Sequence, residues 1–274
     1  MLTGLTDILT REGRPRFAYN VSSVEGLRAI VGWGESHQVP MILQCSERYL
    51  VDLGEAYFQT VVVPRLAASG TAFALHLDHA TSLKAVVRGL RAGFSSVMFD
   101  GSALPLEANI EASRAALDLC REAGIPSFEA EIGHVGGAED GDDDETQYFT
   151  RVEEAVRFAQ AVPADLLAVS IGNAHGRYRH PPKIRWDLLQ ALHHALPMPL
   201  VLHGGTGISE DDLRRATTLG IRKINIGTEL KTAWMDGLTA AIEDGEREPD
   251  RIRERAERSI ASAIDRLERI LVHG

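Results

Sequence analysis

The sequence predicts a single-domain (β/α)8 barrel spanning residues 1–274, because short apolar segments alternate with longer helical patterns along the chain. Two further observations favour a closed barrel over an open sheet. Polar side chains cluster where the apolar segments end, and in barrel enzymes that end of the strands is the catalytic face. A chain of 274 residues also has the length at which such barrels form one unit.

Eight short apolar segments are the expected strands, at residues 16–21, 40–46, 73–80, 95–100, 127–133, 166–172, 199–205 and 221–227. Apolar residues at helical spacing predict helices over residues 23–37, about 54–69, 83–92, 105–123 and 152–161. The final stretch, 248–272, has the same spacing and predicts a long amphipathic helix. This helix either packs on its own barrel or forms a subunit contact, in which case we expect a homodimer or homotetramer.

The strand at 73–80 presents an acid and an imidazole together at its carboxyl end. With a period of two, His76 and Asp78 face away from the neighbouring leucines, and His79 falls where the strand stops. Polar groups in such a position are costly unless a metal, a ligand or a hydrogen-bond network pairs them. His76, one layer below Asp78, fits a structural hydrogen-bonding role.

Two later strands also end in histidine, so three imidazoles are expected at one site. His79, His175 and His203 each follow an apolar segment. Catalytic zinc takes three protein ligands, often neutral imidazoles, and keeps one position open for substrate. The pattern therefore predicts a catalytic zinc centre. A lone histidine of this kind would more simply be a hydrogen-bonding residue.

Glycine-rich turns after the last two strands indicate a phosphate site. The turns are HGGTG at 203–207 and NIGT at 225–228. Barrels often bind phosphate there, through backbone N–H groups and a helix N-terminus, and glycine lets the backbone approach an anion closely. Either turn alone would also fit a purely structural tight turn.

Composition limits the partners and the compartment. A formal charge of −10 without a local basic cluster excludes a nucleic-acid surface and an anionic membrane as partners. The two cysteines, Cys45 and Cys120, form no disulfide framework and no CxxC motif. No signal-like or membrane-spanning apolar segment is visible. We expect a cytoplasmic enzyme with a small-molecule substrate.

Seven segments together resemble the zinc-dependent class II ketose-bisphosphate aldolases, which include the fructose- and tagatose-1,6-bisphosphate aldolases. The segments are AYNV, LHLDHA, VMFDGS, EAEIGHVGGAEDG, IGNAHG, LVLHGGTGI and KINIGTELK. The resemblance implies a TIM-barrel lyase. It also implies reversible cleavage of a ketose bisphosphate to dihydroxyacetone phosphate and an aldehyde, in the cytoplasm and in carbohydrate metabolism such as glycolysis.

The same resemblance implies roles for the charged residues. His79, His175 and His203 match the ligands of the catalytic zinc. The resemblance also matches Asp78 to the acid/base at the hydroxyl next to the cleaved bond, and Glu139 to the carboxylate that moves a proton at the carbon nucleophile. Asp100 and Glu131 match a second site for a divalent or monovalent cation. Glu129 shares an inward face with Glu131. The alternative is therefore that both carboxylates belong to a polar network inside the barrel.

Substrate-binding positions follow from the resemblance as well. Ser46 matches a residue that touches the aldehyde half. The cradle for dihydroxyacetone phosphate matches Gly176, Gly204, Gly205, Thr206, Asn225, Ile226, Gly227 and Thr228.

Two segments depart from the family pattern, and both concern the far end of the substrate. Residues 47–53 read ERYLVDL, where many relatives have a longer glycine-containing turn, and residues 248–251 read EPDR instead of the usual Asp-Pro-Arg order. We therefore hypothesise that the aldehyde product differs from glyceraldehyde 3-phosphate, so that the substrate is a different ketose 1-phosphate.

Three other classes remain as alternatives. A metal-dependent barrel hydrolase would also gather histidines at strand ends, although the first strand lacks the His-x-His pair typical of that class. A Schiff-base aldolase would need a buried lysine, for which Lys223 is the candidate. A non-catalytic sugar-phosphate-binding protein would not need Asp78 and Glu139.

Overall fold

The computed structural model describes residues 1–11, 13–135, 149–176 and 182–272. Eight parallel strands follow one another around a closed barrel, and the last pairs with the first. This confirms the predicted fold class. The strands are β1 Arg16–Asn20, β2 Met41–Ser46, β3 Phe73–Ala80, β4 Ser96–Phe99, β5 Ser127–Ile132, β6 Leu166–Val169, β7 Leu200–Leu202 and β8 Ile221–Ile226.

The helices are α1 Leu5–Arg11, α2 Val24–His37, α3 Glu47–Leu53, α4 Glu55–Tyr57, α5 Val63–Ala67, α6 Leu83–Ala92, α7 Leu106–Glu122, α8 Val152–Ala161, α9 Trp186–Ala195, α10 Glu210–Thr218, α11 Thr228–Glu243 and α12 Pro249–Val272. Helices α2 to α10 connect the strands, α1 precedes β1, and α11 and α12 follow β8. The helix expected over 54–69 is interrupted by a π-helical turn at Phe58–Val62. Helix α3, which the sequence analysis did not predict, begins directly after β2.

The predicted two-residue period of β3 is confirmed by its packing. Phe73, Leu75 and Leu77 belong to the apolar layer between strands and helices. Ala74 belongs instead to a second apolar cluster inside the barrel, together with Leu5 of α1. The interior members of this cluster lie within the first three residues of their strands, so α1 covers the amino-terminal end of the barrel. The carboxyl-terminal end is left for polar side chains.

Helix α12 packs on its own barrel. Its apolar side, including Ile260, Ile264 and Leu267, is buried, and the helix lies against α11 and α2. At its far end Tyr19 of β1 donates a hydrogen bond of 2.8 Å to Glu268. Contacts within the chain therefore explain the amphipathic pattern of residues 248–272. Among the described residues, no helix combines the length and the apolar character needed to cross a membrane.

Candidate active site

The end of β3 departs from regular strand geometry at His79. Its φ is +50°, in the left-handed region that non-glycine residues seldom adopt, and the pairing of β3 with β4 shifts register between Leu77 and Ala80. In a regular strand Asp78 and His79 would face opposite sides. The irregularity instead turns both side chains towards one cleft. Strained backbone of this kind is found most often at functional sites.

The three predicted histidines come together at the carboxyl end of the barrel. His79 lies on β3, His175 follows β6, and His203 follows β7 directly. The ring centroid of His79 is 4.8 Å from that of His175 and 4.7 Å from that of His203. One nitrogen from each ring lies within 4.8 Å of the other two, so the three imidazoles could hold one metal ion.

A buried carboxylate orients the His203 ring. Glu129 Oε1 is 3.0 Å from His203 Nε2, and Glu129 Oε2 is 2.9 Å from Lys223 Nζ. All three side chains are fully buried. Burial acts to raise the pKa of Glu129, but Lys223 and His203 outweigh it and hold this pKa well below its usual range. Glu129 is therefore an anion that accepts a hydrogen bond from the Nε2–H of His203, while the other ring nitrogen, Nδ1, lies 3.3 Å from Glu131 Oε2 and could bind a metal.

His76 and Lys223 belong to the same buried network. His76 Nδ1 is 2.8 Å from Ser96 Oγ, and its Nε2 is 3.5 Å from Glu129 Oε2. Burial, with the charge of Lys223, lowers the pKa of His76 to about 3, so the ring is neutral. The structural role expected for His76 fits these contacts. Lys223 is not among the residues that line the cleft, and its pairing with Glu129 gives no support to a Schiff-base mechanism.

Asp100 and Glu131 lie on the far side of His79 from Asp78. His79 Nδ1 is 2.7 Å from Asp100 Oδ2 and 3.9 Å from Glu131 Oε2, and these three residues form a second group that could hold a cation. Burial acts to lower the pKa of His79, but the carboxylates of Asp78 and Asp100 outweigh it and raise this pKa to about 10. The two groups that could hold a cation, including the predicted pair Asp100 and Glu131, therefore have His79 in common.

Asp78 is held by amide side chains on both of its oxygens. Asn20 Nδ2 donates to Oδ2 at 2.8 Å and Gln44 Nε2 donates to the same oxygen at 3.3 Å, while Asn225 Nδ2 donates to Oδ1 at 3.3 Å. Burial acts to raise the pKa of Asp78, yet the positive charges of His79 and Lys223 outweigh it and lower this pKa to about 2. Asp78 is therefore an oriented, ionised carboxylate beside a candidate metal ligand.

The turn after β7 packs tightly against the segment that follows β6 and against β8, which explains part of its glycine content. Gly204 has φ +64°, and a Cβ there would overlap the carbonyl oxygen of Ala174. The Gly205 N–H donates to the Asn225 carbonyl at 3.0 Å, and a Cβ on Gly205 would lie 2.6 Å from Ile224. The contacts of Gly205 therefore fit the structural alternative, in which glycine is needed for a tight turn.

A cleft of about 450 Å³ opens over these groups. Its lining is Asn20, Val21, Ser22, Ser46, Arg48, Tyr49, Asp52, Asp78, His79, His175, Gly176, Gly204, Thr206, Asn225, Gly227, Thr228 and Lys231. Of the predicted cradle, Gly205 and Ile226 do not line the cleft. The predicted proton donor Glu139 lies outside the described residues.

The lining also contains residues that the sequence analysis did not single out. Asn20 ends β1, while Arg48 and Asp52 lie on α3 and Lys231 lies in the first turn of α11. Their position in the sequence could have indicated them, because each lies at the carboxyl end of a strand or shortly after it. Because helix α3 was not predicted from the sequence, the segment after Ser46 gave no reason to place Arg48 and Asp52 at the site.

Comparison with known proteins finds relatives that are named as aldolases. It is 35% identical over 248 residues to the sulfofructosephosphate aldolase of Alkalicoccus urumqiensis, covering 87% of this chain and 83% of the relative. It is also 38% identical over 233 residues to the 6-phospho-5-dehydro-2-deoxy-D-gluconate aldolase of Shouchella clausii (strain KSM-K16), covering 83% of this chain and 78% of the relative.

Solved structures agree on the fold. The crystal structure of the YdjI aldolase from Escherichia coli K12 matches with a TM-score of 0.85 at 27% identity, covering 99% of this chain and 97% of that chain. The fructose-bisphosphate aldolase of Campylobacter jejuni matches with a TM-score of 0.82 at 21% identity, covering 98% and 95%, which shows a common fold. The family model for class II fructose-bisphosphate aldolase matches residues 5–272, and the chain therefore belongs to the class II aldolases, a family of lyases.

Proposed function

We propose that the protein catalyses zinc-dependent, reversible aldol cleavage of a ketose (bis)phosphate to dihydroxyacetone phosphate and an aldehyde. The observation that supports this most directly is the convergence of His79, His175 and His203 beside the ionised Asp78 in one cleft. A metal ligand set next to an oriented carboxylate supplies both an electrostatic stabiliser and a base.

The three histidines would hold the zinc ion. His203 Nδ1 is buried 3.3 Å from Glu131 Oε2 without the geometry of a hydrogen bond, while its other nitrogen contacts Glu129. A buried imidazole nitrogen beside a carboxylate is suited to a cation, and three imidazoles are a typical catalytic zinc set. Once bound, zinc would stabilise the negative charge that develops on the substrate when the carbon–carbon bond breaks.

Asp78 would take the proton from the hydroxyl next to the cleaved bond. As that proton leaves, the hydroxyl carbon becomes the aldehyde carbonyl and the bonding electrons pass to the triose half. Asn20 and Asn225 keep the carboxylate in one orientation, which lowers the entropic cost of reaching the reactive geometry. Glu139 would return a proton to the triose carbon. This role is supported by the resemblance of the segment EAEIGHVGGAEDG to the family.

The phosphate of the triose half would lie beside α11. Gly204, Gly227 and Thr228 line the cleft there, and α11 is a 16-residue helix that begins at Thr228. Lys231 lines the same part of the cleft. Backbone N–H groups at the start of a helix, together with a lysine, are well suited to a phosphate. Gly176 and Thr206 complete this surface.

The aldehyde half is the part of the substrate in which the candidate sugars differ. Fructose or tagatose 1,6-bisphosphate is the simplest choice, whereas the two relatives above are named for a sulfofructose phosphate and a deoxygluconate phosphate. These names support the hypothesis that the aldehyde product differs from glyceraldehyde 3-phosphate. A second cation, divalent or monovalent, would be held by Asp100 and Glu131 together with His79.

Cleavage of a substrate panel tests the proposal. The panel contains fructose and tagatose 1,6-bisphosphates and 1-phosphates with altered distal ends, and dihydroxyacetone phosphate is measured with and without chelator. We expect release that chelator abolishes and added zinc restores. Activity indifferent to chelator would contradict zinc dependence, and release of inorganic phosphate without a triose product would favour the hydrolase class.

A further inference from the structure

Helix α3 begins next to the proposed base. In the pairing of β2 with β3, Ser46 lies opposite Asp78, and α3 starts at the residue that follows Ser46. If Asp78 takes the proton of the hydroxyl that becomes the aldehyde, the aldehyde half must lie on this side of the cleft. Arg48 and Asp52 of α3 both line the cleft here.

The barrel holds α3 in a fixed position. The Ser46 hydroxyl accepts a hydrogen bond from the Tyr49 N–H at 3.3 Å, which caps the start of the helix. Leu50 is buried in the core, and the Tyr49 ring meets Phe58 edge-on at 6.5 Å. The helix is therefore a rigid support for the two charged side chains on its exposed side.

Arg48 is a cation that the described part of the chain leaves unpaired. It makes no hydrogen bond or ion pair with any described residue, and Asp52, one turn further along α3, is likewise unpaired there. By contrast, the exposed Arg65 is held by both carboxylate oxygens of Glu35. A guanidinium without a protein partner in a substrate cleft is suited to bind an oxyanion, which it can grip through two N–H groups.

Lys231 and Arg48 stand at separate parts of the cleft. Lys231 follows β8 and Arg48 follows β2, and β1 lies between these two strands in the barrel. A substrate that spans the cleft with one anionic group at Lys231 would therefore extend its other end towards Arg48. Asp52 beside Arg48 opposes a second negative charge and so limits how strongly such a group binds.

We propose that Arg48 determines specificity by binding an oxyanion at the distal end of the aldehyde half, and that Asp52 weakens this binding. The inference rests on the proposed function. It narrows the substrate class to ketose 1-phosphates with a second oxyanion, which is a phosphate, a sulfonate or a carboxylate. Arg48 acts on substrate affinity and takes no part in proton transfer.

The test compares substrates with and without a distal anion in matched variants. The substrates are fructose 1,6-bisphosphate, 6-deoxy-6-sulfofructose 1-phosphate, 6-phospho-5-dehydro-2-deoxygluconate and, without a distal anion, fructose 1-phosphate. For Arg48→Gln we expect a rise in KM of roughly tenfold to a hundredfold for the preferred anionic substrate, with little change in kcat or in the fructose 1-phosphate kinetics. For Asp52→Asn we expect the opposite sign, a lower KM for that same substrate.

Arg114→Gln is the matched control, because it removes the same charge from the exposed side of α7, outside the cleft. Arg48→Lys keeps the charge but loses the two-pronged grip, so it should recover only part of the affinity. An equal change for all four substrates in Arg48→Gln, or the same sign of change in both α3 variants, would overturn the inference.

Calorimetric binding of the same sugars separates this inference from the proposed function. If the protein binds these sugars without cleaving them, and Arg48→Gln weakens that binding, the proposed reaction is wrong but the role of Arg48 stands. Cleavage that is insensitive to Arg48 would remove the role of Arg48 and keep the reaction. Neither binding nor cleavage of any of the four sugars would overturn both.

Discussion

Glu129 Oε1 and His203 Nε2 lie 3.0 Å apart in the fully buried interior of the barrel. An ionised Glu129 can only accept this hydrogen bond, so His203 donates through Nε2, and its Nδ1, 3.3 Å from Glu131 Oε2, is the nitrogen that could bind a metal. Lys223 balances the charge of Glu129 at 2.9 Å. The layer beneath the three imidazoles therefore determines how one proposed metal ligand is presented, and it gives rise to two of the predictions below.

Replacing Glu129 should weaken zinc binding. Glu129→Gln keeps the shape of the side chain but removes the negative charge that makes His203 a stronger ligand. We expect zinc affinity to fall by roughly tenfold to a hundredfold, the usual effect of losing such a partner. Competition with a chromophoric chelator measures this. Glu122→Gln, on the exposed end of α7, is the control and should bind zinc like the parent protein.

Stability should depend on Glu129 and Lys223 as a pair. Lys223→Met leaves Glu129 buried without its cation, and loss of one partner of a buried pair costs about 3–5 kcal/mol of the free energy of unfolding. The double variant Glu129→Gln/Lys223→Met removes both charges and should be more stable than Lys223→Met alone. Urea unfolding of the zinc-free proteins measures both values. A double variant less stable than the single one would contradict the pairing.

Asp78→Asn should stop the reaction without releasing zinc. The amide keeps a similar size but cannot accept the hydroxyl proton, so kcat should fall by roughly 10²–10⁴-fold. His203→Ala, in contrast, should lower both the zinc content and the activity. Metal analysis beside the cleavage assay distinguishes the two. Loss of zinc from Asp78→Asn in proportion to its activity would contradict a role as base.

Gly204→Ala should strongly destabilise the fold. The residue has φ +64° and its Cβ would overlap the Ala174 carbonyl oxygen, so backbone strain and steric overlap combine to about 3 kcal/mol or more. Gly13→Ala is the matched control, because Gly13 has φ +61° but no atom within 4 Å of a Cβ. It should cost about 1–2 kcal/mol. Thermal unfolding compares the two, and equal costs would contradict the proposed overlap.

The pattern of apolar and polar residues was sufficient to predict the barrel and the meeting of the histidines. Strands show themselves by local period and composition, and the carboxyl ends of parallel strands necessarily meet at one end of a barrel. The sequence alone was therefore enough to place His79, His175 and His203 together. The inward direction of His76 and Asp78 followed from the same period.

Only the tertiary structure decided the finer arrangement of the site. His79 shares the cleft with Asp78 because its backbone adopts φ +50°, a strained state that surrounding contacts impose and no local propensity favours. The N–H of Gly205, a residue that the resemblance matches to the phosphate cradle, donates to the Asn225 carbonyl of β8, a contact that only the fold reveals. Arg48 lines the cleft because α3 packs against β3, which begins about twenty residues further along the chain, with Leu50 buried in the core. Local sequence determines the elements and their ends, whereas such long-range packing determines which side chains face the substrate.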